Sequence, residues 1–154
     1  VLVPGCGRGH DARAWARAGA KVVACDLSQQ AIVEAQAFPV EGGSVVFETS
    51  DFLSKTTKQR QFDWVFEHTL FCAIAPSQRG DYVSSIKNAL APGGHFLAIH
   101  YLQPNDPVGP PFGVTVTELR RWFESDFELV DHWLPRSFPG RVGRERMFLW
   151  RRRR

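Results

Sequence analysis

Residues 1–11 read VLVPGCGRGHD, a short apolar run followed by a loop with glycines at positions 5, 7 and 9. Glycine allows a sharp backbone turn and lets a ligand approach the main chain closely. The next residues, from Asp11 to Ala18, have alanine, tryptophan and arginine at helical spacing and end before Gly19. This order of strand, glycine loop and helix is typical of α/β sheets that bind a ligand where the first strand ends.

The alternation of strands and helices continues along the chain. Apolar runs predict parallel strands at 1–3, 21–25, 44–48, 62–67 and 95–101. Periodicity and capping residues predict helices at 11–18, 28–38, 77–90 and 115–123, with Ala91-Pro92-Gly93-Gly94 ending the third. Polar residues 54–61 predict a loop or one exposed turn, and residues 103–113, rich in proline and glycine, a rigid irregular loop.

Two further strands are predicted near the C-terminus, at 127–135 and 144–150. A Gly/Pro turn at Pro139-Gly140 separates them, and such a short connection makes them antiparallel. The sequence therefore predicts an α/β fold with a doubly wound, mostly parallel seven-stranded sheet, helices on both faces and a C-terminal antiparallel hairpin.

Composition limits the class of protein. A chain of 154 residues fits one domain, and 44% apolar residues can bury a core, which excludes disorder and coiled coil. No apolar run approaches the roughly 20 residues of a membrane helix. Three cysteines, Cys6, Cys25 and Cys72, lack metal-ligand spacing, so we expect reduced thiols in a cytoplasmic protein without a metal site.

The net charge of +3 is unevenly distributed, because residues 141–154 hold seven arginines and one glutamate. The terminal arginines 151–154 are interpreted either as a contact for nucleic acid or as a frayed, solvated terminus. The other 140 residues sum to −3, which disfavours a nucleic-acid partner. Because the chain opens on Val1 inside a predicted buried strand, we also expect a preceding N-terminal segment.

A second signal lies at the end of the second strand. Asp26 follows Gly5 by 21 residues, and a carboxylate at that place can accept both hydroxyls of a ribose. Capping of the helix that starts near Ser28 is the alternative. Asp51-Phe52 ends the third strand, where the carboxylate would meet the amine of an adenine and the ring would pack on it, or where the aspartate only forms a turn.

Several motifs resemble a known family. VLVPGCGRGHD, Asp26, Asp51-Phe52 and FDWVFEH at 62–68 together resemble class I S-adenosylmethionine-dependent methyltransferases. Four further stretches are similar to the thiopurine, thiol and halide methyltransferase family: FEHTLFCAI at 66–74, LAPGG at 90–94, GPPF at 109–112 and PGRVGRER at 139–146. The resemblance covers nearly the whole chain. It implies a Rossmann-like methyltransferase fold with S-adenosylmethionine as cofactor, and an N-terminal lid over the site.

The resemblance also implies roles for individual residues. Those expected to bind the cofactor are Gly5, Cys6, Gly7, Gly9, Asp26, Leu27, Asp51, Phe52, Glu67 and His68. The glycines would line its methionine part, Asp26 its ribose, and Leu27, Asp51 and Phe52 its adenine. Those expected at the reacting centre are His68, Thr69 and Tyr101.

The implied reaction is an in-line transfer of a methyl group to a thiol, bisulfide, halide or thiopurine. Thiolates and halides arrive as anions, so the protein needs to supply orientation and a dry pocket more than a base. His68 is the histidine placed to take a proton from an acceptor, with orientation of the cofactor carboxylate or a backbone group as its alternative. His10 is expected near the methionine end, and Cys72 is expected to be a buried structural thiol.

Two other functions are weighed against methyl transfer. A nicotinamide dehydrogenase would need G-x-G-x-x-G, and this chain has His10 at the third glycine. A non-catalytic module that binds a cofactor or nucleic acid is suggested by the expected but missing N-terminal lid and by the terminal arginines. We therefore expect a monomeric, cytoplasmic methyltransferase with a small-molecule acceptor and no membrane partner.

Overall fold

Seven strands form one sheet in the part of the chain that the computed structural model describes, residues 1–54, 60–102 and 108–154. The strands are β1 (Leu2–Pro4), β2 (Lys21–Asp26), β3 (Ser44–Thr49), β4 (Phe62–His68), β5 (Leu90–Tyr101), β6 (Phe127–Trp133) and β7 (Glu145–Arg152). The helices are α1 (His10–Arg17), α2 (Gln29–Gln36), α3 (Arg79–Ala89) and α4 (Val116–Phe123), with 3₁₀ segments at Phe71–Ala73, Pro76–Gln78 and Pro139–Arg141. Among these described helices, none has the length and apolar character needed to cross a bilayer.

The sheet order is β3-β2-β1-β4-β5-β7-β6, and its first five strands in sequence are parallel. Only β7 among the described strands runs antiparallel, to both β5 and β6, which confirms the predicted C-terminal hairpin. From β1 the chain winds outward to β3 and then returns to place β4 on the other side of β1. A ligand crevice forms at such a reversal, beyond the carboxyl ends of the strands.

Alternate residues of the central strands face two separate cores. On β4, Val65 packs with the buried residues of α3 and α4, whereas the next residue, Phe66, packs with Ala12 and Ala16 of α1. Successive side chains of a strand point to opposite faces, so α1 lies on one face and α3 and α4 lie on the other. The prediction of helices on both faces is confirmed.

Local capping explains where the helices begin. Ser28 caps α2 by accepting a hydrogen bond from the backbone N–H of Ala31 at 3.2 Å. Thr115 and Glu118 form a reciprocal capping box at the start of α4. Helix α3 begins at Arg79, two residues later than predicted, because Pro76–Gln78 forms a separate 3₁₀ turn. Within the two predicted loops, residues 55–59 and 103–107 lie outside the described residues.

The predicted start of the fifth strand at His95 is wrong, because β5 begins at Leu90. The segment Ala91-Pro92-Gly93-Gly94 ends the helix as expected, but it already belongs to the strand. Leu90 pairs with Phe62 and His95 pairs with Trp64, so the extra residues of β5 are accommodated by a shift in register. Such an irregularity tolerates proline and glycine within a strand.

The interpretation of the terminal arginines as a frayed segment is also wrong for residues 151–153. Arg151 and Arg152 belong to β7, and the Arg151 guanidinium lies 2.6 Å from the Glu128 carboxylate of β6. The Arg152 guanidinium donates to the carbonyl of Leu90, and the Arg153 N–H donates to the carbonyl of Asp126. These arginines join the last strand to its neighbours.

Phe123 lies at the centre of the larger core, fully buried, with its ring near those of Phe71, Phe96 and Trp150. We expect Phe123→Ala to lower the free energy of unfolding by about 3–5 kcal/mol, because it leaves a cavity among these rings. The adjacent Trp122 is 36% exposed, so Trp122→Ala is the matched control and should cost far less. Urea unfolding measures both, and equal losses would contradict this description of the core.

Candidate active site

A cavity of about 610 Å³ opens at the carboxyl ends of β1 and β4. It is lined by Val3, Pro4, Gly5, Cys6, Gly7, Asp11, His68, Thr69, Phe138, Gly140 and Arg141. Three parts of the chain thus meet there: the glycine loop with the first turn of α1, the end of β4, and the connection from β6 to β7. The position is the crevice expected at the reversal of strand order.

The glycine loop is shaped by close contacts on one side and open space on the other. Gly9 has φ +71°, and a Cβ there would lie 2.6 Å from the ring of Phe47, so only glycine fits. Gly7 has φ +49°, but a Cβ there would meet no protein atom within 4 Å. The loop therefore packs tightly against β3 at Gly9 and leaves room at Gly7, where it borders the cavity.

Asp26 fixes this loop to the end of β2. Its Oδ2 accepts a hydrogen bond from the N–H of Gly7 at 2.8 Å, and its Oδ1 accepts one from the N–H of Ser28 at 2.9 Å. The bond to Ser28 agrees with the alternative prediction, in which Asp26 caps the start of α2. A carboxylate has about four acceptor positions, so these two bonds leave capacity for the hydroxyls of a ribose.

The other residues predicted to contact an adenine lie at the same edge but do not line the cavity. Leu27 is 72% exposed beside Asp26. Asp51 accepts a hydrogen bond from the N–H of Leu53, the turn geometry given above as its alternative. The ring of Phe52 packs edge-on against Tyr82, 6.1 Å away between centroids. Their adenine contacts stay predictions.

His68 and Asp11 face each other across the cavity wall. The Nδ1 atom of His68 lies 3.3 Å from Oδ2 of Asp11, which joins the end of β4 to the first turn of α1. The hydrogen bond to Asp11 raises the pKa of His68 above its usual value, while burial opposes the shift. Asp11 is not among the predicted site residues, although it is the last residue of the VLVPGCGRGHD motif.

Thr69 holds a backbone conformation that is rare for a β-branched residue, with φ 58°. Its N–H donates to the carbonyl of Ile99 on β5 at 2.9 Å, and its hydroxyl donates to the carbonyl of His68 at 2.7 Å. Such strain persists only where neighbouring bonds enforce it, and it is common at functional sites. The turn after β4 is therefore held in one shape next to the cavity.

Glu67 points away from the cavity into the core. It is fully buried, its Oε2 accepts a bond from the N–H of Leu70 at 2.6 Å, and its Oε1 lies 3.2 Å from Nδ1 of the buried His100. Burial raises the pKa of Glu67 to about 7 and lowers that of His100 to about 3. His100 is thus neutral, Glu67 holds its proton below about pH 7, and Glu67 supports the turn after β4 from behind.

Two other predicted residues, Tyr101 and His10, do not line the cavity. Tyr101 ends β5, where it pairs in register with Glu145 of β7. The ring of His10 lies 6.4 Å from that of Phe38, and its Nδ1 lies 3.4 Å from the Arg13 guanidinium. His10 is therefore directed towards the end of α2, and its predicted contact with a cofactor is untested.

The three cysteines are free thiols. Cys72 is buried and its sulfur donates to the carbonyl of Thr69, as expected for a structural thiol. Burial raises its pKa to about 11 and raises that of Cys6, which lines the cavity, to about 12. Neither thiol is activated as a nucleophile. The described residues include no cluster of His, Cys, Asp and Glu able to hold a metal ion.

The β6–β7 connection contributes site residues that the sequence analysis does not predict. Phe138, Gly140 and Arg141 line the cavity, and the Arg141 guanidinium lies 2.9 Å from the nearly buried carboxylate of Glu145. The basic stretch at 139–146 resembles a family motif, but the sequence pattern does not show that this loop lies against the glycine loop at the start of the chain. Sheet topology does so, by pairing β7 with β5.

Comparison with known proteins identifies the family. The sequence model of the family described as Thiopurine S-methyltransferase (TPMT) matches residues 1–133. The chain belongs to this family. It is therefore an S-adenosylmethionine-dependent methyltransferase, which disfavours both the dehydrogenase and the non-catalytic module considered above.

Named relatives agree with this assignment. The chain is 31% identical to "Thiocyanate methyltransferase 1" of Arabidopsis thaliana over 158 residues, covering 99% of this chain and 69% of the plant protein. It is 30% identical to a "Thiopurine S-methyltransferase" of Vibrio parahaemolyticus, covering 80% of this chain and 63% of that protein.

Solved structures confirm the fold. A SAM-dependent methyltransferase of Methanosarcina mazei superposes with TM-score 0.85 at 16% identity, covering 99% of this chain and 91% of the other. The N-methyltransferase NodS of Bradyrhizobium japonicum, solved with S-adenosyl-L-homocysteine, superposes with TM-score 0.79 at 15% identity, covering 98% of this chain and 76% of the other.

The cavity of this family member fits an S-adenosyl cofactor. Its volume of about 610 Å³ is in the usual range for sites of drug-sized ligands. The open space at Gly7 lets a ligand approach the main chain, and Asp26 keeps acceptor capacity at the adjoining strand end. The cofactor is S-adenosylmethionine.

Gly7 provides a direct test of the cofactor site. We expect Gly7→Ala to weaken binding of S-adenosylhomocysteine by at least about tenfold, or 1.4 kcal/mol, because the methyl group enters the cavity. Gly19→Ala is the matched control, since Gly19 also has positive φ and open space but lies at the end of α1, away from the cavity. Calorimetric titration measures both, and equal affinities would contradict the placement of the ligand.

The buried carboxyl of Glu67 should appear in the pH dependence of stability. Its pKa is about 7 in the fold, against an ordinary value of 4.5, so between these values the folded protein holds the extra proton. The contribution of Glu67 to the free energy of unfolding therefore falls as pH rises through this range. Glu67→Gln does not titrate, so its stability relative to wild type should increase from pH 4.5 to 7.

Urea unfolding across that range checks the expectation. His100 is present in both proteins, so its own titration largely cancels in the difference. A stability difference that stays constant with pH would show that Glu67 is not held protonated.

Proposed function

We propose that this methyltransferase uses the cavity at the ends of β1 and β4 to transfer a methyl group from S-adenosylmethionine to a small thiol or thiopurine. Bisulfide and halide ions are further soft nucleophiles of the same class. The observation that carries the proposal is the meeting of the glycine loop, His68 and Arg141 around one cavity in a member of the thiopurine S-methyltransferase family. The names of the relatives support a sulfur acceptor.

The glycine loop and Asp26 form the cofactor side of the proposed site. Gly5, Cys6 and Gly7 line the cavity and would contact the methionine part, while Asp26 would accept the ribose hydroxyls. Leu27, Asp51 and Phe52 follow the ends of β2 and β3, which is where the adenine would lie. Gly9 acts indirectly, because its packing on Phe47 sets the shape of the loop.

His68, Thr69 and Arg141 form the acceptor side. His68 and Thr69 end β4 and line the cavity directly, and Arg141 enters from the β6–β7 connection. Tyr101 is proposed to face the acceptor from the end of β5. The pairing of Arg141 with Glu145 fixes the guanidinium at the wall of the cavity, where it can orient a polar acceptor without adding a net charge.

The cofactor supplies an electrophilic methyl group and a neutral thioether leaving group when it is bound. The protein contributes alignment, which is worth on the order of 7–11 kcal/mol in favourable cases. Enforced geometry at Thr69 and the buried support from Glu67 keep the acceptor side rigid. These features fit a reaction that depends on orientation and needs no covalent enzyme intermediate.

Transfer of a labelled methyl group tests the proposal. S-adenosylmethionine with a labelled methyl is incubated with an aryl thiol, an alkyl thiol, a thiopurine, bisulfide or iodide, and the product is identified by mass spectrometry. We expect S-methyl products from the thiols, and Asp26→Ala should lower kcat/KM for the cofactor at least about tenfold, because it removes charge-assisted bonds.

Ser28→Ala is the matched control for Asp26→Ala. It removes the cap of α2 and costs about 1 kcal/mol of stability, but it leaves the glycine loop bonded to Asp26. Transfer should therefore persist in this variant. If the wild-type protein binds the cofactor and methylates none of the sulfur acceptors, the proposal fails.

Monomeric state and cytoplasmic location stay predictions. The three free thiols support the second prediction, because thiols stay reduced in that compartment. Light scattering during gel filtration tests the first prediction.

A further inference from the structure

The contact between Asp11 and His68 has a direction that matters for acid–base chemistry. Oδ2 of Asp11 faces Nδ1 of His68 at 3.3 Å, so a neutral imidazole carries its proton on Nδ1 and donates it to the carboxylate. Nε2 then has a free lone pair. Both residues line the cavity, with His68 32% and Asp11 44% exposed.

We infer that His68, held by Asp11, is the base that removes the proton from a thiol acceptor, so that the enzyme selects thiols that arrive protonated and neutral. The inference rests on the proposed function and deepens it. It also revises the expectation that acceptors arrive as anions. His68 would be a catalytic residue, because it takes the acceptor proton, and Asp11 a positioning residue that acts through it.

The charges around the cavity favour a neutral acceptor. Arg141 is matched by Glu145 at 2.9 Å, and Asp11 faces His68. Among the described residues that line the cavity, Arg141 is therefore the one cation while His68 is neutral, and Glu145 balances its charge. A thiocyanate or halide ion meets no complementary charge from the protein, whereas a thiol meets a proton acceptor.

The groups that surround His68 adjust its basicity from several elements. Asp11 on α1, Glu145 on β7 and Glu67 on β4 raise its pKa, and burial lowers it. Cys6 on the glycine loop stays protonated, since its own pKa is raised to about 12. His68, with its raised pKa and its free Nε2, is thus the group at the cavity wall suited to accept a proton.

Removal of the proton accompanies attack of the acceptor sulfur on the methyl carbon. The S–H bond of the acceptor breaks and its proton passes to Nε2 of His68, while the sulfur electron pair forms a bond to the methyl carbon. The bond from that carbon to the sulfonium sulfur breaks, and its electron pair stays on the leaving thioether. The imidazolium, stabilised by Asp11, then loses the proton to water.

The first test compares two acceptors in wild-type protein and His68→Gln. An alkyl thiol is protonated at neutral pH and needs the base, whereas an aryl thiol is largely ionised and does not. We expect the ratio of kcat/KM for the alkyl thiol to that for the aryl thiol to fall about 10²-fold or more in His68→Gln, the usual scale of general-base catalysis. His95→Gln is the control, since His95 stacks on Trp64 at the opposite end of the strands.

The pH profile and a histidine titration give readouts that a structural defect would not produce. In wild type, kcat/KM for the alkyl thiol should rise to a plateau at the pKa of His68, and in His68→Gln it should keep rising until the thiol itself ionises. Asp11→Asn should move the plateau to lower pH, because the carboxylate raises the His68 pKa. Nitrogen-15 NMR of the histidines, without cofactor, should show the same downward shift and, in wild type, the proton on Nδ1.

The outcomes separate this inference from the proposed function. Two results would contradict the role of His68 as the base while leaving methyl transfer intact. One is an equal loss of kcat/KM for both thiols in His68→Gln, and the other is an unchanged plateau and an unchanged His68 titration in Asp11→Asn. Wild-type protein that binds S-adenosylhomocysteine but methylates neither thiol would overturn the proposed function and the inference together.

Discussion

The carboxylate of Asp26 joins the parts of the fold on which the site depends. Backbone N–H groups that leave water need partners, and here one side chain satisfies the N–H of Gly7 in the loop after β1 and that of Ser28 before α2. The loop from β1 is thereby held against the end of β2, with Gly7 open to the cavity. A cofactor that places its ribose at Asp26 adds to a network that the protein has already ordered.

The acceptor side is built by restraint of a single turn. Thr69 is held in a strained conformation by Ile99 and by its own hydroxyl, and Glu67 bonds the N–H of Leu70 from the core. His68 lies between Glu67 and Thr69 in the chain, and its Nδ1 contacts Asp11. Several hydrogen bonds therefore fix the turn that carries His68, as expected of a reaction in which orientation contributes strongly.

Local sequence signals predicted the strands, the capping of α2 by Ser28 and the glycine loop, because each depends on neighbouring residues. Register was harder: β5 starts at Leu90, since pairing with Phe62 outweighs the turn propensity of Ala91-Pro92-Gly93-Gly94. The contact between Asp11 and His68 spans 57 residues, and no local pattern predicts it. The burial of Glu67 depends on which way the last residues of β4 face, which the family motif did not specify.

A crystal structure with S-adenosylhomocysteine tests the central claim most directly. The account predicts the ribose hydroxyls on the Asp26 carboxylate while the bond from Gly7 persists, the methionine part along Gly5 and Gly7, and the sulfur facing His68. A nucleoside bound elsewhere, or a ribose held by another carboxylate with Asp26 bonded to backbone alone, would contradict it.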